Sequence, residues 1–471
     1  MRKLGLIVSL CLFVVWGCSL LIDTEPGSCS ADEDCAAGLL CVEGACRVVN
    51  CQQEPDFTPC RVFTDPDREY DICVDGECVS PWLTDTGQRQ CFDDSAAVDC
   101  ADLGESFAGQ DALHGWDTQN RLIDRFTRTV PLGGQPVVVD NASGLNWQGC
   151  VGGYSGEECQ PDCAGLDEPS CGPDPVCFWN SDPGEEACEP RRTWDKARAY
   201  CDALDWGGQA DWRLPSRAEL HSLLLFRYDE TSPAIDRTVF PMAGDLVNVD
   251  FPSLIHWSSS PADPVESQAW FIGFVSGGFW AAEHSKRYLS RCVRGDTVSS
   301  AERFVRRTAT PEQPVVQDKA TGMIWQGCIA GNSGDRCETQ SCFGIEEQGE
   351  CEGQAHCRWG DVYTTGNDVC HPGKTWAEAL AYCEGLEWDG QDDWRLPNMM
   401  ELSLMGDETR KPPVLDPFAF PDERYGVYWS STTVIEQGNS NTAWALEAAG
   451  SNSRSYDKQE RYLVRCARGR D

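Results

Sequence analysis

"DWRLPSRAEL" fills Asp211–Leu220 and "DWRLPNMMEL" fills Asp393–Leu402. In each, the proline at 215 or 397 disfavours helical backbone at the leucine before it, because its ring clashes with that residue's N–H and Cβ. In the first, Ser216 and Glu219 then stand at the three-residue spacing of a capping box, which satisfies orphan N–H groups where a helix begins. The phrase is a strand that turns a corner into a helix. One chain writes it twice.

Outward from the phrase the repetition widens. "RFTRTVPLGGQPVVVDNASGLNWQGC" (Arg125–Cys150) is answered by "RFVRRTATPEQPVVQDKATGMIWQGC" (Arg303–Cys328), "TWDKARAYCDAL" by "TWAEALAYCEGL", "HWSSS" by "YWSST" and "RYLSRCVRG" by "RYLVRCARG". Thr375 and Glu378 make a second capping box, and Trp376, Ala379, Cys383 and Leu386 recur at helical spacing, as Trp194, Ala197, Cys201 and Leu204 do in the first copy. Behind the corner, "HWSSS", "AWFIGFVSGGFWAAE" and "KRYLSRCVR" have strand texture, and in the last Tyr288, Ser290 and Cys292 share a face by the two-residue period. Each copy carries six cysteines in an insertion, at 150, 159, 163, 171, 177 and 188 and at 328, 337, 342, 351, 357 and 370. That leaves Cys201 and Cys292 in one core, and Cys383 and Cys466 in the other. Each remaining pair is expected to form a bridge.

The ordered set "GLNWQ", "TWDKARAYC", "WRLPSRAEL", "HWSSS" and "RYLSRCVRG" resembles the Lcl C-terminal domain family. That family is named for part of a bacterial collagen-like adhesin that binds glycosaminoglycans. The resemblance implies an α+β fold of two tandem C-type-lectin-like domains, each with two helices on a small twisted antiparallel sheet. The cysteine insertion departs from the minimal pattern.

The chemistry the family's wider relatives perform can be looked for residue by residue. Calcium-dependent lectins carry Trp-Asn-Asp where this chain has Trp257–Ser259 and Trp429–Ser431, and "QPD" at Gln160–Asp162 sits in one insertion only. "RLPSRAEL" is similar to a signature of formylglycine-generating oxidases, yet those enzymes need a reactive cysteine pair and the core cysteines here are assigned to structure. None of the six histidines recurs at its matched position, since His221 faces Ser403, His256 faces Tyr428 and His284 faces Lys458. No catalytic residue, metal ligand or cofactor is therefore assigned. Arg213 and Arg395 are expected to meet internal carboxylates, and Trp147, Trp212, Trp257 and their partners to fill cores.

"MRKLGLIVSLCLFVVWGC" reads as a signal peptide whose Gly17-Cys18 resembles a bacterial lipobox, predicting acylation at Cys18; cleavage by an ordinary signal peptidase is the alternative. Export makes the 28 cysteines a disulfide framework, with 26, an even number, left for bridges once Cys11 goes with the signal and Cys18 to lipid. Nowhere do two cysteines stand as C-x-x-C, the spacing of a zinc knuckle. The formal charge of −38 grows by two when Arg2 and Lys3 leave with the signal. Such a field repels nucleic acid, so no nucleic-acid partner is expected, and membrane contact is expected through the lipid anchor alone. "DPDREYD" (Asp65–Asp71) lacks the glycine of a calcium loop and reads as a solvated acidic loop.

The domain plan is a signal peptide at 1–17, a lipid-anchored tether at 18–27 and two small cysteine-rich modules at 28–80. In those modules "CVEGAC" and "CVDGEC" each end a hairpin. A linker with Cys91 and Cys100 spans 81–115, and the two repeats span 116–296 and 297–471. The expected function is non-enzymatic binding or adhesion at the cell surface or outer membrane, to a glycan or protein ligand. A formylglycine-generating-type oxidase and a purely structural envelope protein are the alternatives. Loops on a rigid scaffold collect binding residues. The aromatic stretch of repeat one thus offers Trp270, Phe279 and Trp280 as ligand contacts, or else as aromatics that close the sheet's core.

Overall fold

The computed structural model describes five short strands between residues 40 and 79 and most of residues 86–469; the longest stretches outside the description are 1–39, 242–254 and 48–58. Cys18, the signal segment and the tether lie outside the described residues. No helix among the described residues is long and apolar enough to cross a membrane.

In the N-terminal region, Leu40–Val42 pairs with Ala45–Arg47 so that Cys41 stands opposite Cys46. Tyr70–Val74 pairs with Glu77–Val79 so that Cys73 stands opposite Cys78, and Pro59–Val62 adds a third strand.

Outside its cysteine insertion, each repeat holds two antiparallel sheets, where the sequence predicts one; the insertions add short two-stranded ones. In repeat one a four-stranded sheet runs in the spatial order Val293–Arg294, Asn146–Gln148, Val137–Asp140, Phe126–Thr129. A separate three-stranded sheet holds Ile255–Asp263, Gln268–Gly273 and Gly278–Glu283. Repeat two answers with Phe304–Thr310, Gln313–Asp318, Ile324–Gln326 and Ala467–Arg468, and with Val427–Glu436, Asn439–Glu447 and Asn452–Asp457. The helices outside the cysteine insertions are Trp194–Asp202 and Arg217–Ser222, then Trp376–Glu384 and Met399–Leu404, and each insertion holds a short one, Glu168–Cys171 and Gln348–Glu352.

The single sheet implied by the resemblance gives way to two, and the closing segment bridges both. Tyr288 bridges Arg192, Leu289 bridges His256 of the three-stranded sheet, and Val293 bridges Arg213 of the corner phrase. Running between two layers, it buries Leu289, Ser290, Arg291, Cys292 and Val293 in succession. The alternation that suggested one wet and one dry face does not exist there, because both faces are covered. Cys201 is bonded to Cys292 and Cys383 to Cys466, spans of 91 and 83 residues that tie the first helix to this closing segment.

The repeats meet along their second helices. His221 Nδ1 lies 3.1 Å from Met400 Sδ, and Phe226 packs edge-on against Trp444 at 5.2 Å. One continuous apolar cluster runs from Val138 and Trp147 through Leu220 and Phe279 to Met400 and Trp429. A second, around Trp194, Trp257 and the Cys201–Cys292 bridge, belongs to repeat one.

Residues 81–115 read as a linker, but their described part is clamped to repeat two. Gln88 donates to Thr433 O at 2.7 Å and accepts from Thr433 N at 3.0 Å. Asp111 Oδ2 accepts from Thr86 and Thr432 at 2.6 and 2.7 Å, and Lys458 Nζ donates to Asp93 O at 2.9 Å. A Cys91–Cys100 bridge closes the loop. These contacts are single polar side chains finding main chain or another side chain far along the sequence, and such pairing leaves no periodic pattern to read.

Candidate functional site

The corner phrase is held by contacts along most of its length. Trp212 is buried and donates Nε1 to Trp206 O at 3.1 Å; Trp394 does the same to Trp388 O at 3.1 Å. Arg213 reaches Glu219 with two hydrogen bonds, at 2.7 and 2.5 Å, and Arg395 reaches Glu401 with two at 2.7 Å. Those glutamates also close the capping boxes, taking the N–H of Ser216 at 2.7 Å and of Asn398 at 2.9 Å. Pro215 O and Pro397 O accept from Ser259 and Ser431 of the neighbouring sheet at 2.7 and 2.9 Å. Asp211 and Asp393 pair with Arg294 and Arg468. The phrase binds its own protein from end to end.

The other shared motifs do likewise. Gln148 donates to Tyr200 Oη at 2.9 Å and accepts from Cys292 N at 3.2 Å; Gln326 repeats this with Tyr382 and Cys466 at 3.0 and 3.3 Å. In "WSS", Trp257 Nε1 donates to Arg192 O at 2.9 Å and Ser258 Oγ to Trp270 O at 2.8 Å. His284 stacks on Trp194 at 4.1 Å, and at the matched position the Lys458 ammonium lies 3.9 Å from the Trp376 ring. A cation over an indole replaces a stacked imidazole in the same slot.

The structure divides the three aromatics proposed from the sequence. Strand pairing sets Trp270 opposite Ala281, Ile272 opposite Phe279 and Phe271 opposite Trp280. Trp270 and Phe279 therefore share one face and Trp280 lies on the other. Phe279 is 3% exposed, stacks on His221 at 5.6 Å and lies in the cluster that joins the repeats. Trp270 is half-buried, with the Arg217 guanidinium 4.3 Å from its ring centroid. Trp280 is 39% exposed and stacks on Phe271 at 5.8 Å. Its matched residue in repeat two is Arg454, which pairs with Glu447 at 3.2 Å. Sequence reading passed over Phe418, which is 85% exposed and stands where repeat one has Thr238. It belongs to a turn held by Asp416 Oδ1, which accepts the N–H groups of Phe418 and Ala419 at 2.8 and 3.1 Å. The Asp-x-Phe turn was the available signal.

Three histidines are buried among the described residues, His221, His256 and His371, and two of them have clearly shifted values. Desolvation, and then the nearby Arg217 charge, hold His221 down to about 3. Burial chiefly, with Arg461 adding to it, holds His371 down to about 4. Both are neutral packing groups at ordinary pH.

Two concavities lie in repeat two. One of about 350 Å³ is lined by Arg307, Asp389, Gln391, Trp394 and Arg468, but Trp394 is 2% exposed and offers an edge rather than a face. The other, about 430 Å³, lies in the cysteine insertion between Phe343, Ile345, Trp359 and Val369. The insertions are bridged alike: 150–159, 163–177 and 171–188 in one, 328–337, 342–357 and 351–370 in the other. Sulfur donors gather within 4.8 Å of one another in three places, but each of those cysteines is in a disulfide and offers no thiolate to a metal. Gln160 and Pro161 of "QPD" form a two-residue strand against Tyr154–Ser155, and Asp162 accepts from Ser155 Oγ at 2.5 Å.

A family model described as the Lcl C-terminal domain matches residues 136–294 and again 314–468. The chain belongs to the Lcl C-terminal domain family. Each match runs from the second strand of a repeat's four-stranded sheet to its last, enclosing the cysteine insertion, both helices and the three-stranded sheet. In this Lcl C-terminal chain the shared positions are the buried ones just described. No curated protein matches it.

Proposed function

We propose that this protein is an exported lipoprotein, acylated at Cys18, whose two domains have a C-type-lectin-like fold and bind a glycan or protein outside the cell without catalysing a reaction. One observation carries the reading. The repeats keep most of their buried contacts pair for pair, whereas the large exposed aromatics among the described residues, Trp280 and Phe418, stand at positions the copies do not share. Exposed indole and phenyl rings on a disulfide-closed scaffold are the residue types that sugars and protein partners stack on. With Phe279 turned into the seam and Trp270 under Arg217, ligand contact in repeat one falls to Trp280, and Arg454 and Glu447 give repeat two a different surface.

The test is a glycan and protein array probed with the exported chain and its Trp280→Ser variant. Saturable binding that the variant loses, at a melting temperature shifted by no more than about 3 °C, is the expected result. Binding that survives in Trp280→Ser moves the site elsewhere, and an array with no saturable ligand favours the structural envelope reading.

A further inference from the structure

The concavity in the second cysteine insertion belongs to repeat two, whereas Trp280 belongs to repeat one. It holds about 430 Å³ and is walled by Phe343, Ile345, Trp359 and Val369. Small-molecule sites are concave, mostly apolar and of this order of size. Glu346 and Asp368 complete the lining, and no lysine or arginine belongs to it. All six residues are among the described ones; both rings are half-buried and both carboxylates exposed.

Disulfides hold the walls in place. Phe343 follows Cys342, which is bonded to Cys357, and Trp359 stands two residues past Cys357. Val369 precedes Cys370, which is bonded to Cys351 and stands opposite Trp359 in the hairpin of Arg358–Gly360 with Val369–His371. Ile345 N donates to Cys342 O at 3.2 Å, closing the turn that carries Phe343. A pocket whose walls are covalently tied loses little conformational freedom when a ligand enters.

The lining selects a charge. Among the described residues neither Glu346 nor Asp368 makes a hydrogen bond or an ion pair. An inorganic cation gains little there, because apolar walls offer few oxygen ligands in place of its water. A bulky, weakly hydrated organic cation gains twice, from the negative faces of indole and phenyl rings and from the two carboxylates. A quaternary ammonium also carries no N–H, so it asks no hydrogen bond of the walls. The matched insertion differs at one wall: Trp179 stands where repeat two has Trp359, but Ala164 stands where it has Phe343. Repeat one keeps the indole and lacks the phenyl ring.

We propose that the second insertion binds a small soluble organic cation of the trimethylammonium class, its methyl groups against Phe343 and Trp359 and its charge answered by Glu346 and Asp368.

The experiment uses the full chain with its disulfides formed and its tryptophans replaced by fluorotryptophan, titrated with choline chloride and followed by fluorine NMR. Trp359→Phe assigns the Trp359 resonance, and choline should move that resonance saturably. Dimethylbutanol, the neutral isostere of choline, should bind at least about tenfold more weakly, and sodium chloride at the same concentration should leave the resonance in place. Glu346→Gln combined with Asp368→Asn removes two exposed charges and should weaken choline binding about fivefold, with the Tm shifted by no more than about 3 °C. Phe343→Ala, which installs the residue of repeat one, should weaken it about tenfold. An unmoved Trp359 resonance, a shift shared alike by all tryptophans, equal affinity for choline and dimethylbutanol, or undiminished affinity in the carboxylate variant would each overturn the proposal. Trp280 reports through its own resonance, so failure here leaves the reading of Trp280 untouched.

Discussion

Glu219 and Glu401 each serve two structures at once, closing the N-terminus of a helix and receiving an arginine from the bridged segment before it. Removing such a carboxylate leaves a largely buried guanidinium and an uncapped turn. Glu401→Ala should therefore cost about 3 kcal/mol, and Thr375→Ala, which breaks a cap alone, about 1 kcal/mol, both read from denaturant midpoints. The capping boxes were legible because their partners lie three residues apart. Arg213 and Arg395 were expected to meet carboxylates, but which ones followed only once the corner folded the chain back. His221 gives a pH test. Its unfolded value is about 6.5 and its folded value about 3, so the unfolded chain takes up a proton first. This contribution to stability is complete above pH 6.5 and is lost as pH falls toward 3. Between pH 6 and 4, His221→Leu should flatten the dependence of unfolding free energy by about 1.4 kcal/mol per pH unit relative to wild type. An unchanged slope would mean that His221 is protonated in the fold.

At the scale of elements, the hairpin Gln268–Glu283 shows what periodicity can and cannot tell. Alternation separates Trp280 from Phe279 and puts Phe279 with Trp270, but it does not say which face is dry. That was decided by the other repeat, whose second helix packs at the seam and completes the cluster holding Phe279. Phe279→Ser should cost about 4 kcal/mol, as a large ring removed from a core does, whereas Trp280→Ser should cost about 1 kcal/mol or less. Calorimetry of the two single variants distinguishes the faces, and equal losses would contradict the assignment. The closing segment Tyr288–Val293 misled for a related reason: a strand covered on both sides carries no two-residue signature.

At the scale of the molecule, a net charge of −38 and a dense cysteine framework suit the export proposed for the chain. Every cysteine from Cys91 to Cys466 is bridged, and the same connectivity closes both insertions. The lipid anchor is separately testable, since Cys18→Ser should move the protein from the membrane fraction to the soluble one. The repeated corner is scaffold in this account, and the unshared surface is where a ligand is met. Calorimetric unfolding of the double variant Arg213→Ala, Arg395→Ala beside Trp280→Arg tests that division most directly. Each lost arginine strands a glutamate and should cost about 3 kcal/mol, so the double variant should melt at least about 10 °C below wild type. Trp280→Arg, which gives repeat one the residue repeat two already carries there, should melt within about 3 °C of wild type. An arginine double variant that unfolds at the wild-type temperature would contradict the account and return the twice-written phrase to the search for function.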